Sequence, residues 1–133
     1  MAQTHLLERW YEEVWNKANE NAIDELMHDA AIIHGLETDK SKSGPTAFKP
    51  FYKSMREALP FVSITLKPII ASEDIEAAHC FVTAKNAEGK ELQFSGISIA
   101  KFKDGKLIEG WNGFDFISMY QQLGFKLAKE DNV

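Results

Sequence analysis

Apolar residues recur at three- and four-residue steps near the start of the chain, which is the spacing of one helical face. Charged residues lie between them, and the pattern predicts an amphipathic first helix with the apolar positions Leu7, Trp10, Tyr11, Val14, Trp15 and Ala18. A short second helix is predicted over "NAIDELM", with Asn21 as its N-cap. A third is predicted over "GPTAFKPFYKSMREAL", where Pro45 suits the first position and Pro50 would kink the helix or delay its start.

The periodicity changes to two residues after Phe61, as in β-strands. Four strands are predicted, over "FVSITLKPIIAS", "IEAAHCFVTAKN", "KELQFSGISIAKFK" and "KLIEGWNGF". A shorter strand, "DAAIIHG", precedes the polar loop "LETDKSKS", which we expect to be mobile and to border a pocket entrance. A last helix, "FISMYQQL", is predicted to end at Gly124 with one apolar side formed by Phe116, Ile117, Met119, Tyr120 and Leu123.

Helices that come before strands, rather than alternating with them, are typical of an α+β domain with the helices on one face of an antiparallel sheet. In "LQFSGISIA" the alternating set that includes Phe94 and the set of Ile97 and Ile99 are both mainly apolar. One face can cover the helices, and the other is predicted to form a homodimer. Gly96, in the middle of this strand, predicts a bend or a bulge.

Composition indicates a single globular domain over residues 1–133. The chain is 44% hydrophobic and 26% charged, with a formal net charge of −5 spread along its length. No basic run indicates nucleic-acid binding, and no apolar run is long enough to span a membrane. The single cysteine, Cys80, cannot form an internal disulfide, and the N-terminus lacks a signal-peptide pattern, so we expect a cytoplasmic protein.

Asp115 is the most unusual charged residue, because it lies between Phe114 and Phe116. If strand alternation continues through "EGWNGFD", Asp115 and Trp111 share a face at the pocket end of the last strand. Apolar neighbours would then raise the carboxyl pKa toward the range that suits proton transfer. The alternative is a helix N-cap, a position that aspartate favours.

No metal site is predicted from the sequence. Glu25 and His28 form one Glu-x-x-His pair, but a carboxylate-bridged di-metal centre needs two such pairs. Patterns for a nucleophilic serine, a phosphate-binding loop or a dinucleotide site are absent from the sequence.

Three segments resemble the SnoaL-like polyketide cyclase and ester cyclase family, within the superfamily named for nuclear transport factor 2. They are "RWYEEVWNKANENAIDELMHDAAIIHG", "GPTAFKPFYKSMREALPFVSITLKPIIAS" and "FSGISIAKFKDGKLIEGWNGFDFISMYQQLG". The resemblance covers residues from about 6 to 125. It implies a cone-shaped barrel of a curved antiparallel sheet, with about four long strands and one short strand, wrapped around three to four helices. It also implies an internal apolar pocket, frequent dimers through the sheet, and chemistry without a metal or organic cofactor.

The resemblance also implies functional residues. Asp115 matches the aspartate that is the general acid/base in the family. The match places His34 near the cavity mouth, where it could hydrogen-bond a carbonyl or relay a proton; the alternative is a histidine bonded to nearby main chain. The sequence departs from the family pattern by its short "AKNAEGKEL" connection and by Gly110, where many members have histidine. Further candidates for contact with a ligand are Trp111, His79, Trp10, Tyr11 and Phe94. Core packing is the alternative for Trp10 and Tyr11, and a core or interface position is the alternative for His79.

Two functions are consistent with these features. The first is a small enzyme, a cyclase, isomerase or lyase, that moves protons on a hydrophobic carbonyl compound. The second is a non-catalytic binding module for an apolar metabolite, and the superfamily also contains dimeric association domains. An enzyme needs an acid/base group and an oxyanion partner that face the cavity.

Overall fold

The computed structural model describes residues 5–130 as an α+β fold of four helical regions and five strands. The first helix, α1, spans Leu6–Trp10 and continues as a π-helical segment over Tyr11–Asn16. The other elements in chain order are α2 (Asn21–Leu26), β1 (Met27–His34), α3 (Gly44–Ala58), β2 (Phe61–Ser72), β3 (Ile75–Lys85), β4 (Glu91–Lys103), β5 (Lys106–Phe114) and α4 (Phe116–Gln122). Within the described residues, no helix is long and apolar enough to cross a membrane.

The strands form one curved, open sheet in the order β1-β5-β4-β3-β2. Strands β2 to β5 form an antiparallel meander, as the turn signals predict. The α+β fold with four long strands and one short strand is thereby confirmed. One pairing differs from the expected antiparallel sheet, because β1 runs parallel to β5. The helical connection through α3 and the intervening meander allow β1 to reach that edge in this direction.

The first helix packs its predicted apolar face into the core. Leu7, Trp10, Tyr11, Val14 and Trp15 are all buried. The helical pattern ends before Ala18, which has a positive φ of 53° and is exposed.

Two details of the shorter helices differ from the predictions. Asn21 is the first residue of α2 and not its cap, because Glu20 holds the cap position without a side-chain bond. Pro50 does not delay α3, which begins at Gly44 with Pro45 in its first turn and continues through Pro50. Pro50 is the seventh residue of α3, so its missing N–H removes one intrahelical hydrogen bond, the one that would reach the Thr46 carbonyl.

Strand β4 separates the two faces of the sheet. Its inner face is buried, and its outer face exposes Ile97 by 47% and Ile99 by 37%. Gly96 does not form the predicted bulge, because its pairing with both neighbouring strands is uninterrupted. A Cβ atom at Gly96 would lie 2.6 Å from the Phe114 ring, so the glycine makes room for that side chain.

Asn16 joins the first helical region to the edge strand β2. Its Nδ2 donates to the Ile64 carbonyl at 2.9 Å, and its Oδ1 accepts from the Ile64 N–H at 2.6 Å. One amide side chain thus satisfies both main-chain groups of Ile64, as a neighbouring strand would. This contact fixes the helix that carries Tyr11 against the wall formed by β2.

The last helix, α4, buries less than its pattern predicts. Met119 is 1% exposed, whereas Ile117 and Tyr120 are exposed by 55% and 48%. The predicted apolar side is therefore divided between the core and the surface. Gly124 has a φ of 101° directly after the helix, as its position at the predicted end requires.

Candidate functional site

An apolar cavity lies between the helices and the inner face of the sheet. Its volume is about 70 Å³. The walls are formed by Leu7, Trp10, Tyr11, Trp15, Ile33, Leu36, Phe48, Phe51, Met55, Leu59, Val62, Ile64, Val82, Phe94, Ser98, Ile99, Ala100, Leu107, Gly110, Asn112, Phe114 and Phe116. Leu36 belongs to the polar loop after β1, so this loop does border the cavity.

Three polar side chains from three different elements meet in this wall. They are Tyr11 on the first helical region, Ser98 on β4 and Asn112 on β5. The Ser98 hydroxyl donates to Asn112 Oδ1 at 3.2 Å. Ser98 is 3% exposed and is the one buried residue with a non-aromatic polar side chain within residues 5–130. A polar group at this depth needs hydrogen-bond partners, and the wall supplies them.

The Tyr11 hydroxyl lies beside Ser98 and Cys80. Burial raises the pKa of Tyr11 well above its ordinary value, the Cys80 thiol adds to the rise, and hydrogen bonding with Ser98 opposes it. The phenol therefore stays protonated at neutral pH and can act as a hydrogen-bond donor. Burial also raises the pKa of Cys80 to about 11, so this thiol is a poor nucleophile at neutral pH.

Asn112 is held in one orientation from outside the cavity. Its Nδ2 donates to the main-chain carbonyl of His34 at 3.1 Å, across the parallel pairing of β1 and β5. The residue after His34, Gly35, has a φ of 84°, and a Cβ atom there would lie only 1.9 Å from the main-chain carbonyl oxygen of Asn112. The corner at His34 and Gly35 thus requires glycine because it approaches Asn112 closely.

The structure brings three of the predicted ligand-contact residues to the cavity, namely Trp10, Tyr11 and Phe94. Their functional roles stay predictions. The prediction that Trp111 faces the pocket is wrong by one residue of strand register. The inner residues of β4 pair with Gly110, Asn112 and Phe114, so Trp111 lies on the outer face and is 37% exposed.

His34 and His79 also lie on the outer face of the sheet. His34 Nε2 lies 2.8 Å from Glu109 Oε2, and its ring stacks on Trp111 with 5.7 Å between centroids. His79 contacts Phe81 edge-on, with 5.0 Å between ring centroids. Neither imidazole is part of the cavity wall, and only the main-chain carbonyl of His34 reaches the polar cluster.

Asp115 is the N-cap of α4, as one of the two sequence-based interpretations of this residue predicts. Its Oδ1 accepts from the Ser118 N–H at 3.0 Å, and the side chain is exposed. The carboxylate is not part of the cavity wall, although Phe114 and Phe116 on either side of it are. The N-cap is confirmed, and the acid/base role stays a prediction.

Sequence reasoning missed Ser98 and Asn112 as site residues. Ser98 did carry a signal, since it is the polar member of an otherwise apolar alternating set on β4. Asn112 carried none, because its direction depends on the β4–β5 register. Within residues 5–130, no three His, Cys, Asp or Glu side chains lie close enough together to hold a metal ion.

Comparison with known proteins connects this geometry to a family. The family profile of SnoaL-like polyketide cyclases matches residues 5–123. The chain belongs to the SnoaL-like polyketide cyclase family. No curated protein matches the sequence closely enough to serve as a relative.

Solved structures show the same fold as this SnoaL-like chain. A candidate polyketide cyclase from Bacillus cereus is 25% identical with a TM-score of 0.79, over 90% of this chain and 78% of that one. IdmH, a candidate polyketide cyclase from Streptomyces antibioticus, is 19% identical with a TM-score of 0.75, over 90% and 96% of the two chains. AclR, a candidate hydroxylase from Streptomyces galilaeus, is 18% identical with a TM-score of 0.72, over 89% and 78%.

Proposed function

We propose that this SnoaL-like protein is a small-molecule enzyme that transfers protons on a hydrophobic carbonyl compound, without a cofactor. The observation that supports the proposal is the cluster of Tyr11, Ser98 and Asn112 in an otherwise apolar cavity. Apolar walls that surround a few convergent polar groups are typical of a site that binds and orients a small ligand.

Tyr11 is the proposed electrophilic group. A carbon atom next to a carbonyl loses its proton more readily when the negative charge that develops on the oxygen is stabilised. Because burial raises the pKa of Tyr11, its hydroxyl keeps the proton that such an oxygen needs. Ser98 lies beside that hydroxyl.

The proposed proton acceptor is Asp115, the residue that the family resemblance assigns. It lies between Phe114 and Phe116, both of which line the cavity. Asp115 Oδ1 accepts from the Ser118 N–H. Oδ2 is therefore the oxygen that would take the proton of a substrate that enters past these rings. Among the described residues that line the cavity, Tyr11 is the one with a titratable side chain. The proton acceptor in this proposal, Asp115, therefore lies next to the cavity wall and not in it.

Exchange of α-protons in D2O tests this proposal without knowledge of the natural substrate. Small ketones and aldehydes incubated with the protein should incorporate deuterium, as measured by NMR, and Tyr11→Phe should slow this by roughly a hundredfold or more. Tyr120→Phe is the matched control, because Tyr120 is an exposed tyrosine on α4. No exchange above buffer with any carbonyl compound would contradict the enzyme proposal.

A binding module without catalysis is the second candidate. It is supported by the composition of the described wall, which carries no carboxylate or imidazole. Native mass spectrometry of the purified protein should then detect a bound apolar metabolite. Ligand retention without α-proton exchange would favour this function over the enzyme.

We also propose that two chains pair through the outer face of the sheet. Phe81, Ile97 and Trp111 are exposed there by 60%, 47% and 37%, and they lie on three neighbouring strands. Such a patch is unusual on a monomer. Sedimentation at micromolar concentration should give twice the chain mass of 15.0 kDa, and Ile97→Lys should reduce it to a monomer. A monomeric wild-type protein would contradict the pairing.

A further inference from the structure

The ammonium group of Lys40 holds the beginning of the loop that follows β1. Its Nζ donates to the main-chain carbonyls of Ile33 at 3.3 Å and Leu36 at 3.1 Å, and to the Thr38 hydroxyl at 3.2 Å. An ammonium has three N–H groups, so these three oxygen atoms use all of them. Lys40 is exposed, and a lysine on the surface ordinarily keeps its charged end in water. Here the side chain bends back over its own loop instead.

Leu36 is the residue that this arrangement fixes. Its carbonyl accepts from Lys40 Nζ and also from the Thr38 N–H at 2.8 Å, so two donors hold its main chain. Its side chain is half-buried, packs against the core and is the one side chain of residues 36–43 that lines the cavity. Apart from Leu59, which directly follows α3, the other wall residues belong to helices and strands. Leu36 therefore supplies the loop side of the wall.

The two ends of this loop are fixed by close approaches of the main chain. Gly35 lies against Asn112, and a Cβ atom at Gly44 would collide with the main chain of Asp29. Ser43 Oγ also donates to the Asp29 carbonyl at 2.9 Å. Between these anchors the segment forms turns and bends without a helix or strand. The position of its cavity-lining side chain thus depends on the contacts within the loop.

We propose that Leu36 limits the size of the ligand that the cavity accepts, and that Lys40 is the positioning residue that keeps Leu36 in place. A loop with few buried contacts opens at a lower free-energy cost than packed helices and strands, so this side of the wall yields first. An outward movement of Leu36 would add room up to the volume of its side chain and would leave the aromatic rings in contact. This inference rests on the proposed function only in taking the cavity as the ligand site.

The experiment compares benzene with naphthalene, two flat apolar probes that differ by one ring, by NMR titration of the protein. Leu36→Ala should raise the naphthalene-to-benzene affinity ratio by at least roughly tenfold, because small changes in an apolar pocket alter discrimination on this scale. Lys40→Met keeps a long unbranched side chain but donates no hydrogen bond. It should raise the ratio about three- to tenfold, the range of a net hydrogen bond, because Leu36 is released.

Lys42→Met is the matched control for the loss of a charge in this loop. Lys42 Nζ lies 3.8 Å from Asp39 Oδ2 and not against the main chain that carries Leu36, so the ratio should stay at the wild-type value. In the double variant of Leu36→Ala and Lys40→Met, the second change should have no further effect, because the side chain that Lys40 positions is gone. A merely structural role of Lys40 would instead weaken both probes together and leave the ratio unchanged.

Four results would overturn the inference. They are an unchanged ratio in Leu36→Ala or in Lys40→Met, an equal rise in Lys42→Met, additive effects in the double variant, and no binding of benzene to the wild-type protein. The α-proton exchange of the wild-type protein is measured separately. An unchanged ratio with intact exchange would leave the proposed function standing, and the expected ratios without exchange would overturn the enzyme and support the size limit at Leu36.

Discussion

Asn16 allows a quantitative test of how the cavity wall is held together. Asn16→Ala removes the acceptor of the Ile64 N–H at 2.6 Å and the donor to the Ile64 carbonyl at 2.9 Å. Each such hydrogen bond contributes about 0.5–1.5 kcal/mol, so the two together contribute roughly 1–3 kcal/mol to the free energy of unfolding. For a domain of this size, that corresponds to a fall in Tm of roughly 3–12 °C.

Urea and thermal denaturation followed by circular dichroism would measure this loss. Asn19→Ala is the control, because Asn19 is an exposed residue that contacts the fold through its main-chain groups, and it should change stability by less than about 0.5 kcal/mol. Asn16→Asp should be at least as damaging as alanine. It keeps an acceptor for the Ile64 N–H but turns its second oxygen toward the Ile64 carbonyl and the Glu12 carboxylate.

A loss below about 0.5 kcal/mol in Asn16→Ala would refute this account, because water would then replace the side chain at β2 without penalty. The variant should also aggregate more readily on heating. Ile64 lies on the edge strand of the sheet, and its unpaired main-chain groups would be available to another chain.

Three further predictions follow from single residues. Asp115→Asn should have a free energy of unfolding within about 1 kcal/mol of the wild-type value, because asparagine is an equally good N-cap. The rate of α-proton exchange should fall at least roughly a hundredfold, and exchange at the wild-type rate would limit Asp115 to capping. Gly96→Val should lower Tm in a thermal scan, because its Cβ would meet the Phe114 ring at 2.6 Å, and an unchanged Tm would show that the ring moves freely. Because burial raises the pKa of Cys80 to about 11, this thiol loses its proton at a lower pH in the unfolded chain than in the folded one. The free energy of unfolding measured in urea should therefore fall as the pH rises from about 8.5 to 11, and the fall should be smaller in Cys80→Ala.

The sequence predicted the elements well because each has a local signal. The bounds of β2 and β5 match the predicted segments, and the loop after His34 and the N-cap at Asp115 are where turn and cap chemistry place them. The parallel pairing of β1 had no local signal. It results from a long-range choice of sheet edge, which the alternation within one strand does not encode.

The candidate site was predicted only in part, for a physical reason that β5 makes clear. Its apolar and polar residues do not alternate cleanly, so either Trp111 or Asn112 could face the cavity. The pairing with β4 decides, because Ser98 lies opposite Asn112 and Ile99 opposite Trp111. A shift of one residue moves every side chain of a strand to the other face. The same rule separates Cys80 on the inner face from His79 on the outer face.

The size of the cavity limits what the family name can say about the substrate. At about 70 Å³, the cavity is far smaller than the roughly 300–1,000 Å³ of typical ligand pockets. Aromatic rings occupy much of the space, with Trp10 at 5.3 Å from Phe48 and Trp15 at 4.9 Å from Tyr52 between centroids.

A fused polyketide would have to displace these rings from one another, at the cost of the packing that they provide. A compact ligand would not. Solved structures with this fold carry different assigned activities, as the candidate cyclase IdmH and the candidate hydroxylase AclR show. Because function depends on the site rather than on the fold, the packing of the aromatic wall argues that this cavity accepts a compact ligand more readily than a fused polyketide.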